Sequence, residues 1–202
     1  MSAAQLRADL AIISEWIEPG SSVLDLGCGD GALLACLQDN RQVSGYGLEI
    51  DSENIARCVA AGVNVIQTDL DAGLSEFDDS SFDYVVMAHT LQAVSYPERL
   101  LQEMLRVGRE GIVTFPNFGH WLNRLGLAFG GRMPVSRTLP QAWYDTPNIH
   151  LCTLADFELL CEKNGIAILQ RTVVDYAHRA SFIAGLAPNL LGEIALYRFQ
   201  RL

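Results

Sequence analysis

Residues Asp25-Leu26-Gly27-Cys28-Gly29-Asp30-Gly31 follow directly on the apolar pair Val23-Leu24, and no other stretch limits the fold of this chain so much. Glycines at alternate positions let a backbone turn sharply out of a strand and pass close to a ligand, because no Cβ intervenes. Loops that bind dinucleotides keep the wider spacing G-x-G-x-x-G, which sets a pyrophosphate on a helix N-terminus. The spacing here is tighter, and the acid Asp25 precedes the first glycine by two residues. That form suits a nucleoside ligand that has no pyrophosphate but carries an amino acid moiety. The competing reading is a glycine-rich turn with no ligand, and the residues at the later strand ends speak against it.

The pattern around this loop alternates. Apolar residues at Leu6, Leu10, Ile13, Trp16 and Ile17 predict a helix over Ala3–Ile17, ended by Pro19-Gly20. Strands are expected at Ser22–Leu26, Val43–Glu49, Val63–Gln67, Phe82–Met87 and Glu110–Phe115. Helices are expected at Ala32–Leu37, from a cap at Asp51 or Ser52 to about Ala61, and at Tyr96–Val107 with Pro97 in its first turn. Asp69–Ser81 reads as loop with one turn near Leu74. Several strands are continuous apolar runs, which predicts a mostly parallel sheet with helices on both faces. The rhythm breaks over Pro116–Thr153, dense in Gly, Pro, Trp, Tyr and Arg. A helix over Leu154–Asn164 and strands over Ile166–Asp175 and about Leu191–Gln200 complete one domain over residues 1–202.

The net charge of −10 is unevenly spread: sixteen acids face three bases before residue 99, and eight face eleven from there on. An acidic half argues against a nucleic-acid substrate, whose phosphates need a basic footprint. No acid lies between Glu110 and Asp145, while Arg124, Arg132 and Arg137 fall inside that stretch. This small basic region suits an acidic small molecule or an acidic protein patch. No apolar run is long enough for a membrane span, and charges at Arg7, Asp9, Glu15 and Glu18 break any signal-peptide core. The five cysteines are odd in number and scattered, without a C-x-x-C pair, so neither a zinc site nor a disulfide framework is expected. Cys28, inside the glycine loop, is expected to be partly exposed. A soluble cytoplasmic protein is the simplest expectation.

In open parallel sheets, ligands bind beyond the carboxyl ends of the strands, where strand order reverses. Glu49 ends the second strand, 24 residues after Asp25, and can accept from ribose hydroxyls. Ile50 lies beside it. Thr68-Asp69-Leu70 follows the third strand; Asp69 can accept from an adenine amino group while Leu70 packs on the ring. His89 ends the fourth strand and is a candidate for the same pocket. Asp25 is expected to brace the loop and to lie near an ammonium group. The expected cofactor set is thus Asp25, Gly27, Cys28, Gly29, Gly31, Glu49, Ile50, Thr68, Asp69, Leu70 and His89. Each acid has a duller alternative: a solvated strand end for Glu49, a turn cap for Asp69. An acid-rich pocket favours the net positive S-adenosylmethionine over a pyrophosphate dinucleotide.

Together with Phe82-Asp83-Tyr84-Val85-Val86, these residues resemble the class I S-adenosylmethionine-dependent methyltransferases. The resemblance implies a Rossmann-like fold with a mostly parallel seven-stranded sheet and an antiparallel last strand. It implies S-adenosylmethionine or S-adenosylhomocysteine as cofactor. A closer resemblance is carried by Phe115-Pro116-Asn117-Phe118-Gly119-His120-Trp121, by Gly130-Gly131-Arg132-Met133-Pro134, and by Trp143 through Thr153, with Asn64 through Asp71. These segments are similar to the methionine biosynthesis family MetW. That likeness implies a bacterial cytoplasmic protein that works with homoserine O-acyltransferase (MetX). It leaves homo-oligomerisation open.

Two roles compete. A small-molecule methyltransferase needs chiefly positioning of the acceptor, and a base where the acceptor must lose a proton. The candidates for that base are His89, His120, Tyr144 and His150. No Asn/Asp-Pro-Pro-aromatic motif and no Pro-Cys nucleophile points to a nucleic base as acceptor. Alternatively, the domain binds the nucleoside and acts on a partner enzyme. Phe118, Trp121, Leu122, Leu125 and Phe129 recur at helical spacing, as a helix packed on its own sheet, a lid, or a partner-contact surface. A third option, aminopropyl transfer from decarboxylated S-adenosylmethionine, is compatible with the acid count.

Overall fold

The computed structural model describes residues 7–175 and 185–202. The expected helix start at Ala3 lies outside the described residues. Helix α1 (Ala8–Trp16) leads into strand β1 (Ser22–Leu26), whose last four residues are all buried. Then follow α2 (Ala32–Arg41), β2 (Ser44–Glu49), α3 (Ser52–Ala60), β3 (Val65–Gln67), β4 (Phe82–Ala88), α4 (Pro97–Val107) and β5 (Gly108–Pro116). After β5 come α5 (Trp121–Gly130), α6 (Leu154–Lys163), β6 (Ile166–Val174), the short α7 (Pro188–Leu191) and β7 (Ile194–Arg201).

The seven strands run in the order β3-β2-β1-β4-β5-β7-β6. The first five are mutually parallel, and β7 is antiparallel to both β5 and β6. The expected class I architecture is the one observed. Strand order reverses at β1, between β2 and β4, so the carboxyl ends of β1 to β5 share one edge. One face of the sheet is covered by Ile13, Trp16, Leu33, Leu34 and Cys58 from α1, α2 and α3. The other is covered by Leu100, Leu101, Met104, Leu154 and Phe157 from α4 and α6.

Several element ends differ from the periodicity. Helix α2 runs four residues past Leu37, because Asn40 Nδ2 donates to the Cys36 carbonyl at 2.8 Å and Arg41 Nη1 to the Ile17 carbonyl at 2.8 Å. These polar bonds carry a turn that shows no apolar stripe. Leu191 belongs to α7 rather than to the last strand. Pro188 suits a first helical turn, and Asn117 Nδ2 holds the end of that turn through the carbonyls of Asn189 and Gly192, at 3.1 and 2.8 Å. The turn expected near Leu74 is present, closed by Phe77 N donating to the Leu74 carbonyl at 3.0 Å, and a second, unexpected turn spans Leu70–Ala72, capped by Asp69.

Candidate functional site

The glycine loop leaves β1 and crosses the end of β2: the amides of Gly27 and Cys28 both donate to the Leu48 carbonyl, at 2.8 and 3.1 Å. Gly27 has φ 71°, and a Cβ there would meet Thr90 Oγ1 at 2.6 Å. The loop after β4 therefore packs on bare backbone that only glycine supplies. Glu49 ties this turn to the next strand. Its Oε2 accepts from Gly29 N at 2.8 Å, and its Oε1 accepts from Ile50 N at 2.8 Å and Asp51 N at 3.0 Å. A carboxylate offers about four acceptor sites. Three are filled, and the fourth, on Oε2, is open to a hydroxyl.

Two adjoining cavities meet at Gly27. The larger, about 300 Å³, is walled by Leu48, Glu49, Ile50, Thr68, Asp69 and Leu70, and by Asp71, Thr90, Ala93 and Val94. Asp69 does cap a turn, accepting from Asp71 N at 2.9 Å through Oδ1. Its Oδ2 is left for a further donor. Asp71 accepts from Ser95 N at 2.8 Å and Ser95 Oγ at 2.6 Å, closing the far wall; these bonds hold its carboxyl below the usual range. The smaller cavity, about 130 Å³, is lined by Asp25, Cys28, Gly29, Asp30, Arg7 and Leu10 among others. Asp25 is 3% exposed, and its Oδ1 has no hydrogen-bond partner. Burial first, then the Glu49 carboxylate, raise its pKa to about 7, against the opposing pull of Arg7. Such an oxygen, buried and unsatisfied at the wall of a cavity, is a ready acceptor for a cationic ligand.

Ten of the eleven residues expected at the cofactor stand near this edge, but two of those do not line it in the expected way. Gly31 caps α2 with φ 77° and packs toward Cys58 and Val63, so it shapes the loop rather than the cavities. Cys28 is buried, contrary to the expected partial exposure, with its Sγ 3.7 Å from Cys58 Sγ. The eleventh, His89, lines neither cavity. Its residue adopts the left-handed conformation, φ 62°, and its Nε2 lies 3.0 Å from Asp9 Oδ2 on α1. The other candidate bases are further afield. His120 opens on a separate cavity of about 960 Å³ beside Arg132, Ser136, Arg137 and Glu193; burial lowers its pKa, with Glu193 opposing. Tyr144 is exposed. His150 Nε2 contacts the Ser95 carbonyl at 3.2 Å.

The irregular segment is turned inside out relative to its pattern. In α5 the one buried residue is the polar Asn123, held near the carbonyls of Asn117 and Phe118. Trp121, Leu122, Leu125 and Phe129 all face solvent, Phe129 at 86%. The segment is pinned elsewhere by Gln92, a buried residue that sequence reasoning missed. The Gln92 carbonyl accepts from Ile149 N at 2.7 Å and His150 N at 3.0 Å, and its Nε2 donates to the Pro116 carbonyl at 3.0 Å. Arg7, Thr90, Ala93 and Val94 were missed as well. They reach the cavities from neighbouring elements and carry no motif.

Comparison with known proteins places this architecture. The family model described as methionine biosynthesis protein MetW matches residues 7–199, and the chain belongs to that family. The bifunctional methionine biosynthesis protein MetXA/MetW of Rhodopirellula baltica is 38% identical over 205 residues, which is 97% of this chain. The chain spans about a third of that relative's length, 33%. Among solved structures, an S-adenosylmethionine-dependent methyltransferase from Mesorhizobium loti superposes with a TM-score of 0.68 at 18% identity, over 96% of this chain and 98% of its own. The [4+2]-cyclase SpnF superposes with a TM-score of 0.66 at 17% identity, over 95% and 80%. At such identities the likeness is one of fold, and that fold serves more than one chemistry. Among the described residues no helix is long and apolar enough to cross a membrane.

Proposed function

We propose that this chain binds S-adenosylmethionine or S-adenosylhomocysteine across its two cavities and acts on homoserine O-acyltransferase as a partner protein of methionine biosynthesis. The residues fit the nucleoside. The open acceptor of Glu49 suits a ribose hydroxyl, Asp69 Oδ2 an adenine amino group, and the orphaned Asp25 oxygen an ammonium group. Leu48, Ile50, Leu70 and Val94 supply apolar walls for the base. When the ligand is S-adenosylmethionine it brings an activated methyl group; the residues named here bind and orient it.

One observation carries the choice of partner over catalyst. Of the four candidate bases, His89, His120, Tyr144 and His150, none lines either cavity. Beside this, α5 offers Trp121, Leu122, Leu125 and Phe129 outward, in a stretch with no acid between Glu110 and Asp145. Contiguous exposed apolar surface marks an interaction site. The relative that joins MetXA and MetW in one chain supports the acyltransferase as its occupant. Differential nucleoside affinity between free and complexed chain would let the end of the pathway act on its beginning. The test is acyltransferase activity with and without this protein, titrated with each nucleoside. Activation by the protein is expected, modulated by nucleoside. An acyltransferase indifferent to both overturns the proposal.

The second reading is a stand-alone methyltransferase for an anionic small molecule. The cavity beside His120, with Arg132 and Arg137 in its wall, is the observation that favours it. Methylated product formed by this protein alone would establish that reading.

A further inference from the structure

We infer that the cavity beside His120 is an effector site for a zwitterionic α-amino acid with an apolar side chain, built against the α5 helix that is offered to the acyltransferase. Its effect on docking rests on the partner reading above; its ligand chemistry does not. The cavity, about 960 Å³, lies between α5 and the segment over residues 132–140. Pro134 stands over Gly126 of α5, where an added Cβ would lie 3.7 Å from it. The facing wall is an ordered turn. Ser136 N donates to the Leu139 carbonyl at 2.9 Å, Leu139 N donates to Ser136 Oγ at 3.2 Å, and the Leu139 side chain is buried. Glu193 enters from the start of β7 on a fixed backbone: its N donates to the Val174 carbonyl at 3.2 Å, and its carbonyl accepts from Asn117 N at 2.8 Å.

His120, Arg132 and Glu193 bring unspent polar groups to this wall. The His120 ring belongs to a residue only 8% exposed, and it makes no hydrogen bond among the described residues. Burial lowers its pKa, so at neutral pH the ring is uncharged and one nitrogen can accept. Among the described residues the Glu193 carboxylate and the Arg132 guanidinium likewise form no hydrogen bond or ion pair. A ligand that is only an anion would meet Arg132 and be repelled by Glu193, and a ligand that is only a cation would meet the reverse. A ligand that carries both charges satisfies both residues. An α-amino acid does so: its ammonium suits Glu193 and the neutral His120, and its carboxylate suits the planar fork of a guanidinium. Leu122, Met133, Pro134 and Val135 make the rest of the wall apolar, which selects an apolar side chain.

No residue is shared between this wall and the walls of the two cavities proposed for the nucleoside, which places the amino acid as an effector rather than a methyl acceptor. The link to docking is α5 itself. Leu122 belongs both to the cavity wall and to the exposed apolar face, and the His120 ring lies beside Trp121, with centroids 5.9 Å apart. A ligand that braces α5 from the cavity side changes how Trp121 and Leu122 are presented to a partner. By linkage, docking of the partner changes the affinity for the amino acid to the same degree.

The experiment is calorimetric titration of the full chain with L-methionine and L-leucine, and with N-acetyl-L-methionine and L-methioninamide, each of which keeps one of the two charges. At least one free amino acid is expected to bind, and both single-charge analogues to bind about tenfold or more weaker than L-methionine or not at all. Arg132→Gln and Glu193→Gln should each weaken the free amino acid about tenfold. Saturating S-adenosylhomocysteine should not displace it. Failure of both free amino acids to bind overturns the site. So does displacement by S-adenosylhomocysteine, indifference to Arg132→Gln and Glu193→Gln, or undiminished binding of either single-charge analogue. These titrations contain no acyltransferase, so their outcome is separate from that of the partner reading. With the acyltransferase added, the amino acid should change the dissociation constant of the complex about fivefold or more. An unchanged constant in a complex that forms overturns the effector role, whereas failure of any complex to form removes the partner reading itself.

Discussion

The sheet edge proposed for the nucleoside and the segment over residues 116–153 solve opposite problems. At the edge, most polar groups are held by the chain itself: Glu49 takes three backbone amides, Asp69 and Asp71 brace turns, and Asp25 keeps one buried oxygen unmet. In the segment, polar groups are also inward, at Asn117 and Asn123, but most large apolar side chains, Trp121, Leu122, Leu125 and Phe129 among them, point out. The first region satisfies most of its polar groups within the chain. The second is finished as backbone and unfinished as surface. Preorganised sites bind at low ordering cost. Exposed aromatic anchors gain by being covered.

The largest expected effect tests how much the edge depends on one carboxylate. Glu49→Ala removes the acceptor of three part-buried amide donors, so stability falls by about 2 kcal/mol and nucleoside binding is lost, as read by urea melts and calorimetry. Retained binding would show that the edge is held otherwise. Next, Trp121→Ala with Phe129→Ala should weaken acyltransferase association about thirtyfold. Because both side chains are exposed, stability should move by less than about 0.5 kcal/mol and nucleoside affinity should hold. Intact association with lost nucleoside binding would reverse the roles given to the two regions.

A smaller effect follows from Asp25. Folded, its carboxyl keeps its proton to about pH 7; unfolded, to about pH 4. Its contribution to stability is therefore full below about pH 4 and lost as pH rises to about 7. His120 acts the other way, since its lowered pKa disfavours the folded chain as pH falls through the ordinary histidine range. Melting temperature mixes the two. Affinity for S-adenosylhomocysteine separates them, because in the proposed binding mode only Asp25 faces the ammonium: it should climb about tenfold between pH 6 and pH 8 and then flatten. Asp25→Asn should flatten the whole profile; an unchanged profile in that variant would assign the titration elsewhere. Smallest of all, Tyr144→Phe and His150→Gln should leave nucleoside affinity within about twofold, as expected of side chains outside both cavities.

Much of this was legible in the chain itself. The alternation of apolar runs with helical stripes announced a parallel sheet, and a residue at a strand end is placed by topology as soon as the strands are known. That is why Asp25, Glu49 and Asp69 could be gathered from positions far apart in the chain. What failed was of another kind. The stripe Trp121, Leu122, Leu125 and Phe129 was found, but its direction was not, because periodicity shows that a helix has an apolar face and not what lies opposite. Gln92 and Arg7 belong to no motif.

The sequence by itself determined the fold, the glycine loop and the acids at the strand ends, since local spacing and the parallel topology suffice for these. Only the tertiary structure decided that His89 turns to an aspartate 80 residues away, that Cys28 faces inward, and that α5 shows its aromatic side to solvent. Those outcomes depend on which side chains meet across elements, and no one-dimensional pattern carries that information.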